Sequence, residues 1–176
     1  MTLRGVGRTF LVVLLVLVVQ STIGLDVRVA GAHLDLMLLL PIAAGLALGP
    51  EEGAVMGFVA GMASDLLLPT PFGLSALVGC LVGFGVGSMT GRITEGIWWL
   101  KSLVALAASA AAVMLYAVLG AVLGQEQFLN DDLVAIVVVV SVVNALLVPF
   151  AVPLIRWALV GSGADDARPA TAGSRW

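Results

Sequence analysis

The chemistry open to this chain is confined to a few side chains. One histidine, His33, and one cysteine, Cys80, are present. A zinc site of the usual imidazole and thiolate ligands therefore cannot be assembled within the chain, and an intrachain disulfide is excluded. Ser75, Ser109 and Ser141 stand in apolar runs with no accompanying base, which a hydroxyl nucleophile needs within hydrogen-bond reach. No Walker loop, dinucleotide fingerprint or H-E-x-x-H sequence occurs. No catalytic residue, metal or cofactor is expected. The informative polar groups are Asp35, Asp65 and Asn144, and their meaning depends on the apolar segments around them.

Those segments define the class. Of 176 residues, 61% are hydrophobic and 11% charged, where soluble proteins carry roughly 25% charged residues. The composition is that of an integral membrane protein. A net charge of -3 without a basic cluster argues against nucleic acid, whose binding requires phosphate neutralisation by Lys and Arg. Apolar runs cover residues 9–25, 36–48, 53–68, 72–91, 102–124 and 133–155. Since a spanning helix takes about 20 residues, six spans use most of the chain and leave no room for a soluble catalytic domain. The expectation is an all-α membrane protein, a compact bundle of six transmembrane helices over residues 1–160, with a disordered cytoplasmic tail over 161–176. The first run is longer than the apolar core of a signal peptide and lacks a small-residue cleavage site, so it reads as an uncleaved helix.

The breaks between runs have physical causes. Gly49 and Pro50 stop the second run, and Glu51 and Glu52 suit the positive end of the next helix dipole. Spans two and three thus form a tight hairpin. Both are short, about 20 to 24 Å at 1.5 Å per residue. Pro69-Thr70-Pro71 ends the third run, because proline has no N–H to continue the ladder. Residues 92–101, with Trp98 and Trp99, read as an amphipathic connection at headgroup level. Residues 125–132 form a polar loop, and Pro149 and Pro153 lie near the end of the sixth span.

Within this frame the third span places Gly53, Gly57, Gly61 and Asp65 four residues apart, and the fourth repeats the spacing with Gly79, Gly83, Gly87 and Gly91. Residues four apart share a helix ridge. Small-residue stripes let membrane helices approach closely, where burial supplies no hydrophobic force. The two ridges pack spans three and four together or form a docking face for another membrane protein. Asp65 has two readings: a carboxylate facing the bundle interior, a cavity or a partner, or one reaching interfacial water near Pro69. Asp35, two residues after His33, can cap span two. Asn144 is expected to hydrogen-bond another helix.

The segment LDLMLLLPIAAGLALGPEEGAVMGFVAGMASDLLLPTPFGLSAL, residues 34–77, resembles the bacterial rod shape-determining protein D (MreD) family. The residues carrying the resemblance are Asp35, Pro50, Gly53, Gly57, Phe58, Gly61, Asp65, Phe72, Gly73, Leu74 and Ser75, and Asn144-Ala145-Leu146-Leu147-x-Pro149 looks like that family's last helix. The resemblance implies a noncatalytic scaffold of the cell-elongation machinery in the bacterial cytoplasmic membrane. It would bind the single-pass protein MreC and, through it, the wall glycosyltransferase, the transpeptidase and the actin-like filament. The layout also resembles the substrate-binding subunit fold of energy-coupling-factor vitamin transporters. A vitamin binder needs polar groups converging on a pocket. Asp35, Asp65, Asn144 and Tyr116 are a sparse supply, so the scaffold is the favoured reading.

Charge sets the expected orientation. Arg4, Arg8, Arg92, Lys101, Arg156, Arg168 and Arg175 fall on one side of a six-span layout and only Arg28 on the other, which predicts cytoplasmic termini. In a Cys80→Ala background, cysteines introduced at Val29 or Asn130 should react with an impermeant thiol reagent added outside cells, and a cysteine at Glu95 should not. Labelling at position 95 in intact cells contradicts this orientation.

Overall fold

Six α-helices form over the described residues of the computed structural model, which are 3–23, 36–66, 72–90, 98–124 and 133–160. They are α1 (Leu3–Ile23), α2 (Leu39–Leu48), α3 (Pro50–Asp65), α4 (Leu74–Thr90), α5 (Trp98–Val122) and α6 (Leu133–Val160). Two stretches, Trp99–Val122 and Leu133–Leu159, are long and apolar enough to cross a membrane. Leu11–Gln20, Leu39–Leu48 and Leu74–Thr90 are shorter apolar helical stretches. Residues 161–176, expected as a disordered tail, lie outside the described residues, as do His33 and Asp35.

At the centre stands α2. Its residues are apolar on every side, and every one from Leu39 to Ala47 is buried. A helix without a polar face needs neighbours all round; α3, α4, α5 and α6 supply them. The helix is shorter than the 13-residue run suggested. Leu39 and Leu40 donate to the carbonyls of Leu36 and Met37, at 3.2 and 3.3 Å, so the chain enters through tight i-to-i−3 turns. Pro41 then falls in the first helical turn, where a missing N–H leaves no bond unmade. Ten residues rise only about 15 Å, half the hydrocarbon thickness. The surrounding helices make that length tolerable, since they enclose α2 in protein.

The turn into α3 needs glycine. Gly49 has φ 117° and ψ −172°, a region open essentially to glycine alone. Pro50 starts α3 with its fixed φ, and Glu51 and Glu52 occupy the first turn. Three of the remaining helices, α1, α5 and α6, run past boundaries that the charge pattern indicated, whereas α4 stays within its expected run. Residues 98–101 belong to α5 rather than to a connection, as none of them breaks a helix. The first helix begins at Leu3 and takes in Arg4 and Arg8, and α6 continues through Pro149 and Pro153 to Val160. Prolines persist in such apolar helices because surrounding groups can re-satisfy the freed backbone.

Inside, small residues set the spacing: Ala43, Ala44, Ala60, Ala105, Ala112 and Ala158 are almost wholly buried. Outside, α1, α3, α4, α5 and α6 present large apolar side chains such as Leu15, Phe58, Leu81, Val118 and Phe150. A water-soluble protein would bury such a surface; lipid accepts it. This arrangement separates two substitutions of similar chemistry. Ile42→Ala in α2 leaves a cavity and should lower stability in detergent by about 2 kcal/mol or more. Leu146→Ala on the exposed face of α6 should change it by no more than about 0.5 kcal/mol. Thermal unfolding of the two variants checks the difference.

Candidate functional site

The glycine ridges meet face to face. In the antiparallel α3 and α4, Gly53 lies against Gly83, Gly57 against Gly79, and Gly61 against Ala76. A Cβ on Gly57 would overlap the Gly79 carbonyl, and one on Gly79 would stand 2.7 Å from the Gly57 carbonyl oxygen. Gly87 lies against Gly49 and Pro50, at the turn between α2 and α3. A third helix joins the contact at Gly45, where a Cβ would be 2.7 Å from the Gly83 carbonyl oxygen and 3.0 Å from the Gly87 nitrogen. Backbone touches backbone along the whole seam, so dispersion contacts take the place of the hydrophobic force that lipid does not provide. Thr90 closes one end by donating from its hydroxyl to the Gly45 carbonyl at 2.9 Å. Gly91 lies outside the described residues.

Asp65 closes the other end. It is the last residue of α3 and is only 5% exposed. Its Oδ2 accepts from the Gly73 and Ala76 N–H groups at 2.8 and 3.3 Å, and its Oδ1 accepts from the Ser75 N–H at 3.2 Å. These are orphan donors at the start of α4. A carboxylate there satisfies them with charge-assisted bonds and meets the positive end of the helix dipole. Gly73 presents its N–H from a backbone at φ 95°, a left-handed conformation that favours glycine. Of the two readings open for Asp65, interior contact and interfacial water, the geometry places the carboxylate inside the bundle, capping a neighbouring helix.

Asn144 sits elsewhere, between α5 and α6. Its Nδ2 donates to Ser109 Oγ at 3.0 Å, and both side chains are essentially without exposure. Ser141, one turn earlier on α6, is also buried, and its hydroxyl has no hydrogen-bond partner. A further cross-helix bond ties α1 to the start of α2, where Gln20 Oε1 accepts from the Met37 N–H at 3.0 Å. Sequence reasoning did not single out Gln20, Thr90 or Gly45. For Gly45 a signal existed, because the four-residue spacing of glycines runs back from Gly61 through Gly53 and Gly49 to Gly45. Among the other motif residues, Leu74 is buried and Pro50 begins α3, whereas Phe58 and Phe72 are exposed. The structure thus joins the glycines, Pro50 and Asp65 in one assembly of α2, α3 and α4, with Asn144 bonding a different helix pair.

A family model described as rod shape-determining protein MreD matches residues 3–158, nearly all of α1 through α6. The chain belongs to the MreD family. Its role therefore lies in rod-shape determination, and it is a membrane protein. No curated protein and no solved structure matches the chain.

The seam makes a contrast between two glycines of the paired helices. Gly57→Ala in α3 places a methyl into the backbone of α4 and should destabilise the bundle by about 1 to 3 kcal/mol, as overpacking does. Gly85→Ala in α4, where a Cβ meets nothing within 4 Å, should be neutral or stabilise by up to about 1 kcal/mol through helix propensity. Asp65→Ala should cost about 1 to 2 kcal/mol, the range for losing a helix cap. Thermal unfolding of the purified variants measures all three, and equal behaviour of the two glycine variants contradicts the seam.

Proposed function

We propose that this MreD-family chain is a noncatalytic scaffold of the cell-elongation (rod) complex in the bacterial cytoplasmic membrane. It crosses the membrane six times with both termini in the cytoplasm and binds an MreC-like single-pass membrane protein. Through that partner it supports the wall glycosyltransferase, the transpeptidase and the actin-like filament in peptidoglycan synthesis and cell-shape control. One observation carries this reading: Asp65, Asn144, Thr90 and Gln20 each bond another helix or the entry to one, while large apolar side chains cover the outside. Asp65 and Asn144, two of the polar groups that a vitamin-type pocket would have to gather, are committed to holding the bundle. What such a bundle offers a neighbour is its outer surface.

Phe58 is the part of that surface to examine first. It belongs to the motif carried by α3, yet its side chain is half exposed beside Val55 and Val59, so packing within the bundle does not account for it. Aromatic side chains are frequent anchors of protein interfaces. Co-expressed with an MreC-like partner and purified in mild detergent, the chain should recover that partner. Phe58→Ala should reduce the recovery by about tenfold, as loss of an interface anchor does, with thermal stability unchanged. Phe150→Ala, on an exposed face of α6, should leave recovery intact. Failure to recover the partner, together with a vitamin-sized compound that strongly raises thermal stability, contradicts the scaffold reading.

A further inference from the structure

We propose that the groove between α1 and α6 is a binding site for the headgroup of an anionic glycerophospholipid, independent of the protein contacts proposed above. The groove holds about 500 Å³ and is lined by Gly7, Arg8, Leu11 and Trp157. The Arg8 guanidinium carbon lies 5.3 Å from the centre of a Trp157 ring, a cation–π distance. A guanidinium held against an aromatic ring keeps in-plane N–H donors in the fork geometry that suits a phosphate. Gly7 leaves the groove open, since a Cβ there would meet nothing within 4 Å.

The apolar part of the site decides the class of ligand. Leu11, Leu14, Leu15 and Val18 are exposed along α1 beyond Arg8. Together they form a cationic end followed by an apolar rail, which matches a phosphate head followed by an acyl chain. A soluble phosphate would use the guanidinium and leave the rail bare. A zwitterionic lipid fits poorly, because no carboxylate is among the described residues that line the groove to receive its ammonium group and Arg8 already occupies the Trp157 ring. Arg156, exposed and next to Trp157 in sequence, is a second basic residue at that end of α6. Basic pockets between membrane helices recognise anionic headgroups on this principle.

Native mass spectrometry of the full-length protein tests the site with phosphatidylglycerol and phosphatidylethanolamine of matched acyl chains. Phosphatidylglycerol should be retained over phosphatidylethanolamine by about tenfold, and Arg8→Gln should remove that preference. Gly7→Phe keeps every charge but fills the groove, and it should lower phosphatidylglycerol retention by a similar factor. Lys101→Gln removes one positive charge outside the groove and should change retention by less than about threefold. Equal retention of the two lipids overturns the proposal. So does undiminished binding by Gly7→Phe, or an equal effect of Lys101→Gln and Arg8→Gln, which would mark diffuse surface charge. Displacement of the lipid by excess inorganic phosphate would point to a free-anion site and likewise overturn it.

Discussion

Two helices of this bundle touch through their main chains, and the rest of the structure is arranged around that contact. Gly53, Gly57 and Gly61 on α3 lie against Gly83, Gly79 and Ala76 on α4. In lipid, apolar side chains gain nothing by leaving one hydrocarbon environment for another, so helices associate by close packing and by hydrogen bonds. Glycine maximises the first. It also makes the register strict, since a shift along the seam would bring side chains against backbone. Gly45 extends the same contact into α2. The ten-residue α2, too short to span a membrane alone, thereby gains a fixed place in the interior.

Hydrogen bonds pin what packing brings together. Asp65 holds the start of α4, Thr90 holds α2 through the Gly45 carbonyl, Gln20 holds the start of α2, and Asn144 with Ser109 joins α5 to α6. Each of these groups would be costly in hydrocarbon without a partner, and in each case the partner lies in another helix or at the entry to one. Asp65 shows how a charge can be kept inside such a protein without serving a ligand. Three N–H groups converge on it, and α4 supplies a favourable dipole. With these polar side chains used in this way, the MreD-family bundle meets its surroundings through a largely apolar exterior and through the Arg8–Trp157 groove.

The sequence was legible where physical constraint leaves a period. Four-residue glycine spacing marks both ridges, and Gly49-Pro50 marks the α2–α3 turn, because only particular residues permit those geometries. The partner of each polar group was less legible. Asp65 could be read as facing the interior or as reaching interfacial water, since its true partners are backbone amides brought back by the chain between α3 and α4, and backbone amides leave no residue signature. Asn144 announced a cross-helix bond, but nothing local identified Ser109 as its acceptor. Gln20 escaped notice because its partner is again a backbone N–H. Helix ends were blurred for a related reason. Charges at 4, 8 and 101 looked like boundaries, yet Arg and Lys are good helix formers and the helices simply run through them.

The central claim is that α3 and α4 are joined backbone to backbone by their glycines. Solid-state NMR of the full chain in lipid bilayers, with 13C incorporated at glycine alone, observes this contact without perturbing it. Through-space carbon correlations should appear between Gly57 and Gly79 and between Gly53 and Gly83, residues far apart in sequence. Spectra in which each of these glycines correlates only with carbons of its own helix would contradict the account.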